Sequence, residues 1–320
     1  MLAAANAGGV IELDKRPVAF VRHKFRPAGH VVIRGGVFGP IILDQWSNVT
    51  FEGSRFKAPV GAPAHQALVD AFQPQNLELS NCYFVGYEGE GGELRTRGLL
   101  IRGGLNISVR HSTFEIMAGS NSFILSNGVQ FIANRMTRVR EGVQFKGGGN
   151  ILIESNRFDN FQPFLGDHPD AIQFFTAGLT NPTDLASHDV LISGNLIIAA
   201  DQSQGIFLAD QNSLQSSGRG YKRIAIRRNI IVGAVWHGIT AAPVDSLTIV
   251  GNRAIRQSGR DVRGNRITAA GREVILEDNE ASEFKIAQSV RNHGNRTLGP
   301  LSAQRINAVI AEWTQANHVQ

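Results

Sequence analysis

Nine segments of the chain repeat one pattern, in which an alternating apolar strand is followed by a small polar residue. They begin at residues 48, 76, 106, 128, 150, 189, 223, 246 and 273. The second and fourth positions of each segment are apolar, as Ile151 and Ile153 are in NILIESNRF (150–158), and this period of two indicates a strand with one buried face. Such a strand buries its face only together with neighbouring copies. The segments therefore predict parallel strands stacked about 4.8 Å apart in one cooperative array.

The seventh position of the repeat predicts a ladder of polar side chains. In chain order it holds Ser54, Cys82, Ser112, Asn134, Asn156, Asn195, Asn229, Asn252 and Asn279. Asn amides at strand spacing can donate and accept hydrogen bonds along a stack, and Asn tolerates the left-handed turn conformation. We expect the six Asn residues to lie in one buried row, with Cys82 as an inert member of the same row.

The array predicts an all-β fold, a single-stranded right-handed parallel β-helix of about nine or more coils. The shortest coils take 22 residues, as from Asn134 to Asn156, so the wider intervals contain inserted loops. We assign residues 1–30 to an N-terminal cap, 31–285 to the coils and 286–320 to a C-terminal cap. Apolar residues at helical spacing predict a short capping helix over about 303–316; they are Ile306, Val309, Ile310 and Trp313.

The amino-acid composition limits which kinds of site the chain can contain and where the protein can be located. One cysteine excludes an internal disulfide framework and a cysteine zinc cluster, and no apolar run is long enough to span a membrane. We expect a secreted, periplasmic, cell-surface or virion-associated protein. The first residues show no basic region ahead of an apolar stretch, so no export signal is visible in them. Either the export signal is absent from this sequence, or the protein leaves the cell another way.

The net charge of +5 comes from Arg and favours an anionic partner. An acidic polysaccharide fits better than nucleic acid, because the chain has no basic run and no groove-binding helix pattern. An Arg-rich solvated surface would give the same charge. We expect a monomer or a trimer, with no membrane partner.

A second family of strands lies between the ladder segments and carries a column of mixed polar residues. Its first position holds Arg97, Asn121, Glu141, Asp170, Gln204 and His237. The third and fifth positions are apolar and point inward, so Gln144, Lys146 and Gln173 are expected on the outer surface. Inserted loops at 159–169, 176–188 and 210–221 adjoin these strands. The pattern predicts a cleft over this strand family, walled by the three loops.

The ladder resembles the pectin-lyase-like right-handed β-helix superfamily over residues 30 to 285. In its polygalacturonase-type hydrolases, successive coils carry Asn-Thr-Asp, Asp-Asp and Gly-His-Gly at the cleft. Here His168-Pro169-Asp170 stands at the first motif and Trp236-His237-Gly238 resembles the third. The middle coil has Gln202-Ser203-Gln204, so the paired acids that the inverting mechanism uses are absent. The segments HPDAIQF and QGIFL also look like those of bacterial and phage β-helix proteins that act on polysaccharides.

Two enzymatic chemistries fit the column. Hydrolysis of a glycosidic bond uses two carboxyls, and Glu141 and Asp170 would be one strand apart. In the alternative structural interpretation, Glu141 forms an ion pair with Arg138 or Lys146. β-Elimination or C5 epimerisation of a uronic acid needs a base and groups that neutralise the substrate carboxylate. The candidate bases are His237 and His168, and the candidate neutralising or substrate-binding residues are Arg97, Arg102, Lys146, Gln144, Gln173, Gln204 and Trp236.

A calcium ion is possible, since Asp167, Asp170 and Asp210 could supply oxygen ligands, but no compact calcium motif is present and the metal site stays unassigned. The first hypothesis is a lyase or epimerase that acts on an extracellular, acidic polysaccharide. The second is a glycoside hydrolase that uses Glu141 and Asp170. The third is a non-catalytic carbohydrate-binding module or phage tail component.

Overall fold

The computed structural model describes residues 6–18, 24–119, 121–167, 169–199, 202–259, 264–287 and 290–317. In this part of the chain, 30 strands join one parallel sheet that winds around a single core. Each strand pairs in parallel with the equivalent strand one coil away. The predicted right-handed parallel β-helix is confirmed, and it presents three faces.

Face 1 holds the ladder segments. It contains β1 (Gly9–Val18), β2 (Val31–Phe38), β4 (Ser47–Glu52), β7 (Gln75–Ser80), β10 (Leu105–Arg110), β13 (Asn127–Ile132), β16 (Gly149–Glu154), β19 (His188–Ser193), β22 (Tyr221–Arg227), the later parts of β24 (His237–Val250) and β26 (Arg266–Glu277), and β29 (Arg291–His293). Strand β1 lies in the segment predicted as an N-terminal cap.

Face 2 follows the ladder residues. It contains β5 (Arg55–Lys57), β8 (Tyr83–Val85), β11 (Thr113–Met117), β14 (Arg135–Val139), β17 (Arg157–Asp159), β20 (Leu196–Ile198), β23 (Ile230–Val232), β25 (Arg253–Ile255), β27 (Glu280–Ala281) and β30 (Arg296–Thr297). Face 3 is the second strand family. It contains β3 (Ile41–Asp44), β6 (Ala67–Phe72), β9 (Arg97–Arg102), β12 (Asn121–Ile124), β15 (Val143–Lys146), β18 (Asp170–Phe175), β21 (Gln204–Ala209), the first parts of β24 and β26, and β28 (Glu283–Ile286).

The predicted Asn ladder is present and fully buried. Each side-chain amide donates to the next: Asn156 Nδ2 lies 2.9 Å from Asn195 Oδ1, and Asn195 Nδ2 lies 2.9 Å from Asn229 Oδ1. The ladder runs one coil further than predicted, because Asn279 Nδ2 donates to Asn295 Oδ1 at 2.8 Å. Cys82 is buried in its ladder position, and burial raises the pKa of its thiol to about 12, so the thiolate does not form at neutral pH.

Inward-facing aromatic rings stack along the axis of the core. Phe84 stacks on Phe114 with centroids 4.4 Å apart, and Phe145 lies between Phe123 and Phe174 at 5.1 and 4.9 Å. Offset ring pairs of this kind add roughly 0.5–1.5 kcal/mol each beyond their buried area. Identical residues one coil apart therefore hold the backbone of face 3 at regular spacing.

The predicted C-terminal helix is α1 (Ala303–Asn317). It lies against the outer surface of face 2, where Trp313 packs on Leu196 and donates its indole N–H to Gly194 O at 2.7 Å. Ile306 and Val309 pack against the same side of the stack. None of the helices in the described residues has the length and apolar character of a membrane span.

Candidate active site

The register of face 3 brings most of the predicted column together. Asp170 is opposite Gln204, and the pairing of Ile206 with Ile239 places Gln204 beside His237. Gly142 N donates to Asp170 O at 3.1 Å, so Glu141 lies next to Asp170 on the adjacent coil. The column in order is Arg97, Gly119, Glu141, Asp170, Gln204, His237 and Arg266.

The prediction that Asn121 belongs to this column is wrong. Asn121 pairs with Val143 and is buried, and its Oδ1 accepts the backbone N–H of Leu99 at 3.0 Å. Gly119, two residues earlier, bridges Arg97 and takes the column position. The strand is displaced by two residues relative to the repeat that the sequence suggested.

Glu141 forms an ion pair with Arg140, its immediate neighbour in the chain. Arg140 Nη1 lies 2.8 Å from Glu141 Oε1, and Arg140 Nε lies 2.6 Å from Asp167 Oδ2. The guanidinium also covers the ring of Phe164 at 5.0 Å. The expected alternative partner Arg138 instead binds Glu88 at 2.7 Å on face 2. Burial raises the pKa of Glu141, and the Arg140 charge opposes that rise.

Asp170 has a different environment from Glu141. It is 8% exposed and forms no ion pair with any described residue. Burial raises its pKa to about 8, the charges of Glu141 and Asp167 add to the rise, and the Gln173 amide opposes it. The group is therefore largely a neutral carboxylic acid at pH 7. Its Oδ1 has no hydrogen-bond partner among the described residues, so that atom is available to hold the proton.

Two glutamine amides connect the carboxyls. Gln144 Nε2 donates to Gln173 Oε1 at 2.7 Å and approaches Glu141 Oε2 at 3.2 Å, while Gln173 Nε2 donates to Asp170 Oδ2 at 3.0 Å. Both residues are half-buried on the outer surface, as the alternation predicted. The amides fix the orientation of both acids, and a sugar hydroxyl could contact the same donors and acceptors.

A cavity of about 710 Å³ is lined by residues that precede strands β18, β21 and β24 in the chain. It is lined by the loop 160–167 together with Gln202, Val235 and Trp236. Phe164 and Trp236 are each 43% exposed, which leaves apolar ring surface available to a ligand. Another concavity, of about 790 Å³, lies near Leu13 and Tyr83 on the ladder side of the early coils. The first cavity is linked to the carboxyl pair through Asp167, which lines it and contacts Arg140, the ion-pair partner of Glu141.

The other two predicted loops lie at the opposite ends of these strands. Thr176 Oγ1 donates to Asp210 Oδ1 at 3.0 Å, and Asn212 Nδ2 donates to Thr176 O at 2.9 Å, so the loops are tied to each other. Asp210 also accepts the backbone N–H of Gln215 at 2.7 Å. Its carboxylate is therefore committed to the turn that follows β21.

The remaining predicted cations are divided along face 3. Arg102 binds Asp70 at 2.5 Å. Lys146 packs against Gly178, where a Cβ atom would lie 2.7 Å from Lys146 Nζ. Arg97 is in the column and its charge lowers the pKa of Glu141. His168 lies outside the described residues. No set of three or more His, Cys, Asp or Glu side chains in the described part of the chain is arranged to bind a metal ion.

His237 lies two coils from Asp170. Its Nδ1 is 2.8 Å from Thr240 Oγ1, and its ring is 5.6 Å from that of Phe207. Arg266 is its register partner on the following coil and forms no ion pair with a described residue. A base next to a cation is the combination that proton abstraction beside a carboxylate requires.

Sequence reasoning missed Arg140 and Arg266. Arg140 precedes a column residue, so its position in the turn before a strand was the available signal. Arg266 was hidden because the segment RITAA lacks the glycine that follows His237, and the pairing shifts between His237 and Ile239. A one-residue irregularity of this kind removes a residue from a column that is aligned by sequence alone.

A family model described as a right handed beta helix region matches residues 39–281. Among curated proteins, none matches the sequence. Among solved structures, the surface adhesin PfbA of Streptococcus pneumoniae is similar, with a TM-score of 0.57 and 14% identity over 84% of this chain and 70% of its own.

Two phage proteins are similar as well. Tailspike protein 3 of bacteriophage CBA120 has a TM-score of 0.52 and 10% identity, over 92% of this chain and 56% of its own. A tailspike mutant of E. coli bacteriophage HK620, solved in complex with a pentasaccharide, has a TM-score of 0.52 and 12% identity, over 86% of this chain and 61% of its own. At these identities the likeness shows the fold alone.

Proposed function

The chain belongs to the right-handed β-helix family, and on that premise we propose that it is a carbohydrate-active enzyme that hydrolyses a glycosidic bond of an extracellular polysaccharide. The observation that carries the proposal is the unequal pair on adjacent coils, with Glu141 bound to a cation and Asp170 without one. Two carboxyls whose surroundings separate their pKa values are the requirement for a proton donor and an ionised partner.

In this mechanism, Asp170 donates its proton to the glycosidic oxygen of the departing sugar. Glu141 attacks the anomeric carbon and forms a covalent glycosyl intermediate. Asp170 then accepts a proton from the water that releases the sugar from Glu141. The backbones of the two residues are one strand apart, about 4.8 Å, which is close to the separation of roughly 5–5.5 Å found for carboxyls of retaining glycosidases. The product should keep its anomeric configuration.

The cavity lined by the loop 160–167, which leads into the strand of Asp170, supports a sugar as the ligand. Phe164 and Trp236 both line it with exposed rings, and sugar rings stack on such surfaces. The net charge of +5 favours an acidic polysaccharide among the possible substrates. The pentasaccharide bound by the HK620 tailspike is a precedent for a glycan on this fold. We place the protein outside the cell or on a virion, where such polymers occur.

The test is turnover of a panel of neutral and acidic polysaccharides, measured by release of reducing ends. Glu141→Gln and Asp170→Asn should each lower the rate by roughly 10²–10⁴-fold, because each removes one of the two reacting groups. Asp245→Asn is the matched control, since Asp245 binds Arg272 on face 1. Wild-type turnover should be lost above about pH 8 as Asp170 ionises. Full activity of both variants would exclude this mechanism.

β-Elimination or C5 epimerisation is the second candidate, and the adjacency of His237 and Arg266 favours it. His237 would take the C5 proton of a uronate whose carboxylate binds Arg266. A lyase produces an unsaturated uronate, which is detected as a rise in ultraviolet absorbance. His237→Ala would then lower the rate by roughly 10²–10⁴-fold while Glu141→Gln stays active. Binding without cleavage of any polymer would instead indicate a carbohydrate-binding module.

A further inference from the structure

Arg140, which the sequence did not single out, contacts Glu141, Asp167 and Phe164 of the candidate site. Its guanidinium lies between two carboxylates, at 2.8 Å from Glu141 Oε1 and 2.6 Å from Asp167 Oδ2. Its other contact is the ring of Phe164, in the loop 160–167. Its backbone N–H donates to Met117 O at 2.8 Å, which fixes the residue to the preceding coil.

We infer that Arg140 is the positioning residue of this site, which holds Glu141 beside Asp170 through an ion pair and ties the loop 160–167 to the strands. The inference rests on the proposed hydrolytic function. In the proposed mechanism, Arg140 does not contact the substrate itself and affects it only through Glu141 and the loop 160–167. It therefore acts on the charge and the position of other groups.

The charges around Glu141 come from four elements. Arg140 is in its own turn, Asp167 is in the inserted loop, Asp170 is on β18 and Arg97 is on β9. The charge of Asp167 favours a neutral Glu141, and Arg97, which favours the carboxylate, is two coils away along the column. The ion pair with Arg140 is therefore the main interaction that favours the carboxylate.

The same contacts explain how the two acids can differ although burial raises the pKa of both. An opposite charge within about 4–6 Å typically lowers a carboxyl pKa by 1–3 units. Glu141 has that charge and Asp170 does not. A proton held by the pair is therefore expected on Asp170.

The experiment compares pH profiles of kcat/KM for wild type, Arg140→Gln and Arg140→Lys on the polymer that the wild type cleaves. Arg140→Gln should move the acid limb up by about 1–3 pH units, because Glu141 then ionises only at higher pH. Arg140→Lys keeps a cation and should leave that limb close to its wild-type position. Arg138→Gln is the control two residues away, since Arg138 lies on face 2 and binds Glu88. It should leave both limbs unchanged.

An acid limb that does not move in Arg140→Gln, with a rate lowered equally at all pH values, would overturn the inference. A carboxyl ¹³C NMR titration of wild type and Arg140→Gln separates this outcome from a failure of the proposed function. It reads the ionisation of Glu141 without any substrate. A raised pKa for Glu141 in Arg140→Gln supports the inference even if no polymer is cleaved, and an unchanged value overturns it. Melting curves of both Arg140 variants establish that each is folded.

Discussion

Ionising Asp170 in the folded protein costs free energy, and other carboxylates on face 3 do not share this cost. Asp70, four coils earlier, binds Arg102 at 2.5 Å, whereas Asp170 is buried without a cation among the described residues. Its proton is held tightly in the folded protein and released near its ordinary pKa in the unfolded chain. Functional sites often retain such destabilising groups, because removing them costs activity.

The first prediction follows from this difference in proton binding. Between pH 4 and about 8 the folded state binds more protons at Asp170 than the unfolded state does. The free energy of unfolding therefore falls as the pH rises, by up to about 1.4 kcal/mol for each pH unit from this group. Asp170→Asn should remove that loss, so the variant should melt at a higher temperature than wild type at pH 8.

The measurement is a series of melting curves between pH 4 and pH 8. The advantage of Asp170→Asn should grow with pH and be small near pH 4. Asp245→Asn serves as the control, since Asp245 binds Arg272 on face 1. It should show no gain at high pH. A variant that is equally stable or less stable than wild type at pH 8 would contradict the raised pKa of Asp170.

For individual residues, the sequence predicted which side chains share the column on face 3 but not the ion pairs that they form. Asp170, Gln204 and His237 align as predicted because each opens a strand with the same inward-facing pattern. Arg140 was missed because it lies in a turn. The alternation of apolar and polar residues describes strands, and it does not predict where a side chain in a turn points or which residue it binds. Whether these residues carry catalysis stays a prediction.

Among the elements, α1 shows what a periodic pattern can and cannot establish. The helix was predicted over 303–316 and lies at Ala303–Asn317, because the apolar spacing marks its buried face. Its position against face 2 depends on Leu196 and Val232, which occupy outward positions where other coils have polar residues. Outward-facing apolar residues in the sequence indicate that another element covers them. Only the packing in the structure identifies that element as α1.

The second prediction concerns this helix. Trp313→Ala removes the packing on Leu196 and the hydrogen bond to Gly194 O. Truncating a buried aromatic residue costs about 3–5 kcal/mol, so α1 should detach from the stack. Limited proteolysis should then cleave before residue 303 much faster than in wild type. Trp313→Phe keeps most of the packing and should cost only about 1 kcal/mol for the lost hydrogen bond. Equal cleavage of Trp313→Ala and wild type would contradict this role of the helix.

For the whole molecule, the fold was predictable because one repeat recurs along the chain. Each coil contacts only its two neighbours, so local errors such as the displacement at Asn121 leave the architecture intact. The same arrangement makes the effect of a mutation depend on its place in the stack. A residue in the middle supports coils on both sides, and a residue at the end supports one.

The third prediction uses the ladder to test that dependence. Asn195→Leu removes donors to Ile153 O and Asn229 Oδ1 and leaves the amide of Asn156 without its acceptor, all in the fully buried part of the row. It should lower the free energy of unfolding by on the order of 1–3 kcal/mol and shift the transition of the whole array. Asn295→Leu breaks an equivalent bond to Asn279 at a coil whose strands β29 and β30 are exposed, so water can replace the lost partners. Its effect should be confined to amide exchange in that coil, with the main denaturation midpoint close to wild type. Equal shifts of the main transition in the two variants would show that the end coil is as strongly coupled to the core as the centre of the ladder.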